Sequence, residues 1–94
     1  MALTADIVKS GGKRQTEKFV RDKLKASIIA ACRSVRAYEG EAENTADLVC
    51  DAVESWLATR PEVTSGDLRI VTSRHLKKYH PEAAYLYEQY RITI

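Results

Sequence analysis

The sequence predicts an α+β domain: a small β-hairpin or three-stranded sheet packed on a bundle of about four helices. Three observations lead there. Two short segments able to form strands flank Gly11-Gly12 near the N-terminus, and adjacent glycines permit the positive backbone angles of a tight hairpin turn. From Val20 onward apolar residues recur at spacings of three and four, the period of a helix and not of a strand. Break signals at Gly40, Arg60-Pro61 and His80-Pro81 then divide that helical portion into four.

Ninety-four residues suit a single domain, here 1–94, with 1–5 reading as a frayed terminus. A 45% apolar and 30% charged composition is that of a chain that folds around a core. Asp6 to Lys9 and Arg14 to Lys18 are the predicted hairpin strands. A two-stranded hairpin is marginal alone and needs a helix to cover it. The first helix, over 20–36, supplies one, with Leu24, Ile28, Ala31, Cys32 and Val35 forming its stripe and Lys25, Arg33 and Arg36 outside it.

Tyr38 to Glu43 reads as an acidic loop, with Gly40 as the stop signal. Asn44 or Thr45 would cap the second helix and Asp47 would sit in its first turn, its stripe being Val49, Ala52, Val53, Trp56 and Leu57. Arg60-Pro61 ends it, because the residue before proline is pushed out of the helical region. Thr64 or Ser65 caps the third helix, which turns Leu68, Val71 and Leu76 inward and Arg69, Arg74, Lys77 and Lys78 outward. Pro81 suits the first position of a fourth helix carrying Ala83, Ala84, Tyr87 and Tyr90. Arg91 to Ile94 turn β-branched, and a third strand returning to the hairpin is open there.

The net charge of +2 hides an uneven distribution. Residues 1–36 hold nine Lys/Arg against three Asp/Glu, residues 37–65 one against seven, and residues 66–94 five against three. A basic first third facing an acidic middle means either an anion site or mutual neutralisation in the fold. Cys32 and Cys50 have no C-x-x-C partner and fall on apolar helical faces, which reads as two buried thiols in a reducing, cytoplasmic setting. No apolar run reaches the length of a membrane span, and the N-terminus lacks the apolar core of a signal peptide. A P-loop is absent, and His75 and His80 lack a convergent carboxylate or cysteine, so surface or capping roles are expected and an enzyme is not.

Basic side chains on a glycine turn beside a helix start suit an anionic ligand such as a nucleotide phosphate; they equally suit a solvated hairpin whose charged edges resist aggregation. In this setting the order of motifs matters. Val8-Lys9 and Gly12, then Glu17-Lys18-Phe19, then Lys23-Leu24 with Ser27-Ile28, then Leu68-x-x-Val71 after a Thr/Ser cap, and finally Ala84-Tyr85-x-Tyr87-x-x-Tyr90-Arg91 together resemble the ATP-cone. That family is the nucleotide-sensing domain of many ribonucleotide reductases and of the bacterial repressor of reductase genes. The resemblance runs from about Asp6 to Arg91, and departs from the family pattern at Ser10, Gly11-Gly12 and Val20.

The resemblance implies a free-standing regulatory module that binds ATP or dATP, with any Mg2+ carried by the nucleotide, in a pocket between hairpin and helices. Carried over by position, Val8 lies at the start of the motif, Lys9 and Lys23 neutralise phosphates, and Lys13 and Arg14 restore basic charge from the turn. Glu17 would accept from the adenine amino group, Thr64 or Ser65 would line the base or sugar, and Arg69 is a further phosphate candidate. Each has a plain structural alternative: a cross-strand partner for Glu17, a helix cap for Thr64 or Ser65. The family commonly signals through association, which implies a homo-oligomer or a trans-acting partner such as a nucleotide-metabolism enzyme. The alternative class is a nucleic-acid or protein interaction module, or a cone without nucleotide kept as a scaffold. The second and third helices have the order of a helix-turn-helix with Arg69, Arg74, Lys77 and Lys78 on the latter, though a DNA reader usually shows a broader basic surface.

Overall fold

In the computed structural model, residues 5–9, 15–36 and 38–89 are described. The architecture is α+β, a small three-stranded sheet on four helices. Strands β1 (Asp6–Lys9) and β2 (Gln15–Lys18) form the expected hairpin, pairing antiparallel with Ile7 opposite Glu17. Helices α1 (Arg21–Ser34) and α2 (Glu39–Leu57) follow, then strand β3 (Glu62–Thr64), α3 (Ser65–Lys77) and α4 (Pro81–Gln89).

The third strand that the sequence leaves open over 91–94 falls outside the described residues. Among the described residues the sheet's third strand is β3, three residues long, in the stretch that reads from sequence as a link between helices. β3 pairs parallel to β1, with Ile7 level with Val63 and Val8 level with Thr64, so the sheet order is β2-β1-β3. A three-residue strand shows no periodicity of its own, and Val63 becomes a strand residue because β1 offers it a partner and the core takes its side chain. Asp6 N donates to Pro61 O at 2.9 Å and Phe19 N to Ala5 O at 2.9 Å, which extends the β1 pairing on both sides.

The core joins the four helices with β1 and β3. Leu24, Ile28, Ala31 and Cys32 of α1 meet Val49, Cys50, Val53 and Leu57 of α2, Leu68 and Leu76 of α3, and Ala83, Ala84 and Tyr87 of α4. Ile7, Phe19 and Val63 close it from the sheet. Both thiols are buried and unbonded, and burial pushes Cys32 up and Cys50 up to about 11. Trp56 is only half-buried; the Arg60 guanidinium lies 5.0 Å from its ring centroid and donates to Trp56 O at 3.0 Å.

The second helix starts earlier than its sequence suggests. Gly40 and the acidic residues around it are the first turn of α2, and neither Asn44 nor Thr45 is a cap. Ala42 and Ala46 are wholly buried and extend the Val49–Val53 stripe by two turns, and carboxylates favour the positive end of a helix. The reversal falls instead at Arg36, with a φ of 61° in the left-handed region, where its N–H bonds to Arg33 O at 3.1 Å. A residue with a Cβ is strained there by about 1–2 kcal/mol. Replacing this exposed side chain, Arg36→Gly, should therefore raise the urea midpoint by the equivalent of about 0.5–1 kcal/mol after the entropy of glycine is deducted.

Asp47 consequently lies in mid-helix, and it answers the charge question. Arg21 reaches Asp51 Oδ1 at 2.8 Å, Asp47 Oδ1 at 3.4 Å and also Glu54, while Lys25 Nζ sits 3.0 Å from Asp47 Oδ1. The basic first helix and the acidic second neutralise one another across their interface. Glu54 holds the Arg21 guanidinium above its usual range, and Lys25, then Arg21, hold Asp47 below the usual carboxylate range. A depressed carboxyl stabilises the fold above its unfolded value of about 3.9, and that contribution disappears as pH falls through the lower folded value. Arg21→Met should cost about 1 kcal/mol in chemical denaturation at low salt, less at high salt, with a flatter acid limb below pH 4.

Candidate functional site

Strand alternation sorts the predicted site residues before any ligand is considered. Residues level with one another in neighbouring strands share a face, so Ile7, Glu17 and Val63 lie on one side of the sheet. Ile7 and Val63 are buried, which makes that side the one facing the core. Glu17 is its half-buried carboxylate. Val8 and Thr64 are level with each other on the opposite side, Val8 half-buried and Thr64 exposed.

Glu17 meets Lys23, whose ammonium donates to Glu17 Oε1. Lys23 lies on the first turn of α1, which begins after Val20 without a side-chain cap. Ser27 is one turn further along the same helical face. Ser27 is buried, and its hydroxyl donates to Leu24 O at 2.7 Å. With that proton committed, the Tyr87 hydroxyl donates to Ser27 Oγ across 3.0 Å. Burial pushes Tyr87 up to about 12, against the opposing effects of the Ser27 and Thr72 hydroxyls and of the nearby Arg69 charge. Two polar pairs, Glu17–Lys23 at the surface and Ser27–Tyr87 in the core, thus lie one helical turn apart along α1 as a discontinuous seam.

Arg69 borders the far end of that seam. Its charge reads from sequence as outward-facing, but it is half-buried where α3 packs against both α2 and α4, while Ile70 beside it stays exposed. Its Nε is buried with no hydrogen-bond partner among the described residues, a guanidinium donor with nothing to donate to. Thr64 is the cap of α3: its Oγ1 accepts from Asp67 N at 3.0 Å, and Ser65 beside it is buried in the first turn. Lys9 closes β1 opposite Gln15, while Lys13 and Arg14 lie outside the described residues. His80 caps α4, its Nδ1 accepting from Ala83 N at 3.4 Å, and burial lowers the pKa of His75.

The structure therefore brings Glu17 and Lys23 together and sets Val8 beside Thr64, on opposite sides of the sheet. Sequence reasoning left Ser27 and Tyr87 without a role of their own. Tyr87 sits at helical spacing in an apolar stripe, and only the fold shows that its hydroxyl finds a buried serine 60 residues away. Among the described residues no cluster of three His, Cys, Asp or Glu side chains is placed to hold a metal. The link between α2 and α3 contains a strand bonded into the sheet, so it is not a bare turn between two helices. No protein-family model matches the chain, and neither a curated protein nor a solved structure matches it.

Tyr87→Phe should lower stability by about 1 kcal/mol, one hydrogen bond, read as a lower urea midpoint at unchanged slope. The raised phenol has its own signature. A group whose folded pKa lies above its unfolded value stabilises fully below the latter, about 10, and that stability fades as pH rises through about 12. The wild type should lose more stability than Tyr87→Phe between those limits.

Proposed function

We propose that this chain is an adenine-nucleotide-binding regulatory module of the ATP-cone type. It takes ATP or dATP, with Mg2+ arriving on the nucleotide, at the core-facing side of the hairpin. It works by changing its own association or that of a trans-acting partner, for example an enzyme of nucleotide metabolism, and not by catalysis. A reducing, cytoplasmic setting suits its two buried thiols. No described helix is long and apolar enough to cross a membrane.

The observation that carries this reading is the contact of Glu17 with Lys23 at the edge of the core-facing sheet surface. A carboxylate can accept from an exocyclic amino group, and an ammonium can pair with phosphate. Both side chains are about half exposed, at 41% and 45%, so the pair can be exchanged for ligand at small cost. The unpartnered Nε–H of Arg69 supplies a further donor suited to a phosphate or ribose oxygen. Lys9, on the central strand, is the second cation that the resemblance assigns.

Thermal unfolding with ATP, dATP, AMP and GTP, with and without Mg2+, tests the proposal. Nucleotide at a hundred times its dissociation constant should stabilise by about 2.7 kcal/mol, several degrees for a domain this small. The shift should be larger with ATP or dATP than with GTP and lost in Lys23→Ala and Glu17→Gln, variants that barely alter the ligand-free midpoint. No shift with any nucleotide at millimolar concentration would remove the proposal.

A further inference from the structure

Three helices turn polar groups toward one another inside the core. Ser27 of α1, Thr72 of α3 and Tyr87 of α4 are all buried, Thr72 and Tyr87 completely. Arg69 stands one turn before Thr72 on the same side of α3 and is half-buried. Thr72 and Arg69 both act on the Tyr87 phenol, the first through its hydroxyl and the second through its charge, so both lie near it.

Ser27 and Tyr87 satisfy each other. The Ser27 hydroxyl donates to Leu24 O at 2.7 Å, and the phenol donates to Ser27 Oγ at 3.0 Å. Arg69 Nε and Thr72 Oγ1 are left over, buried and without a hydrogen-bond partner among the described residues. A hydroxyl in a helix can turn back to a carbonyl of the preceding turn, as Ser27, Ser34 and Ser73 do onto Leu24, Ala30 and Ile70. Thr72 forgoes that bond, and its hydroxyl stands beside the phenol instead. Burying a polar group unmet is costly, so these two atoms need an explanation.

The donors and acceptors decide what fits among them. Arg69 Nε–H only donates, and Thr72 Oγ1 can do either. Tyr87 Oη, its hydrogen spent on Ser27, only accepts. An anion would suit Arg69 but face the lone pairs of the phenol. A cation would suit the phenol oxygen but face the guanidinium. Water can accept from Arg69, donate to Tyr87 and form either kind of bond with Thr72, and three partners are usual for a buried water. We propose that one ordered water is bound between Arg69, Thr72 and Tyr87. It joins α3 to α4 and, through Tyr87 and Ser27, to α1. It also holds the buried edge of the Arg69 guanidinium in place. The water belongs to the ligand-free chain and needs no nucleotide; an oxygen of any ligand that reached Arg69 would displace it.

A crystal structure of the nucleotide-free protein, fine enough to order internal waters, tests this directly. One density peak should lie within about 2.7–3.2 Å of Arg69 Nε, Thr72 Oγ1 and Tyr87 Oη, with no anomalous signal there after bromide soaking. Thermal unfolding tests it in solution. Thr72→Val exchanges the hydroxyl for a methyl group of like shape and should lower Tm by about 4–8 °C, the loss of one hydrogen bond. Removing a hydroxyl that nothing met would leave Tm unchanged or raise it. Thr72→Val and Arg69→Met combined should lower Tm by less than the sum of the two, because both release the same water. A core without the peak, a bromide peak in its place, a Tm that holds or rises in Thr72→Val, or strictly additive losses would each overturn the proposal. Since no nucleotide is present, failure here leaves the thermal-shift test with ATP untouched, and the converse holds.

Discussion

The structure depends on one four-residue strand. β1 is the centre of the sheet, hydrogen-bonded to β2 on one edge and to β3 on the other. The first pairing is local and the second joins Ile7 to Val63, across both long helices. A hairpin of two four-residue strands has little stability of its own. With β3 added, the inner face of the sheet places Ile7, Val63 and the adjoining Phe19 on the helical core. The link between α2 and α3 is thereby fixed as well, and Thr64 leaves β3 directly into its role as cap of α3.

That arrangement explains where the charges end up. Lys and Arg concentrate in the first third of the chain, which taken alone resembles an anion site. Arg21 and Lys25 are instead directed across the α1–α2 interface onto Asp47, Asp51 and Glu54, because these two helices pack side by side. Lys23, on a different side of α1, is left to Glu17. Of the polarity that remains inside, Ser27 and Tyr87 satisfy each other, while Arg69 Nε and Thr72 Oγ1 are buried without a partner among the described residues. Local asymmetry in charge therefore does not by itself mark an anion site, since Arg21 and Lys25 are taken up across the α1–α2 interface.

Much of the fold is legible in the residues. The spacing of Leu24, Ile28, Ala31 and Cys32 marks α1, Pro81 marks the start of α4, and Thr64 with Asp67 marks the start of α3. Gly40 resembles a stop and hides the start of α2, and Ala42, buried just beyond it, is too small to contribute much to a hydrophobic pattern. The charge of Arg69 suggests water, yet a long side chain can bury its stem and Nε and keep its tip near the surface.

Periodicity, caps and glycine placement therefore determine the α+β class, the hairpin, the number of helices and the burial of both thiols, since all of these are local preferences acting over one or two turns. Three things are decided only when the chain closes on itself. Val63 becomes a strand because β1 presents an unpaired edge; Arg21 becomes a clamp because α2 lies alongside α1; and Tyr87 becomes the end of a polar seam because Ser27 meets it in the core. Each is a contact between residues far apart in sequence, and no pattern within either segment encodes the position of its partner.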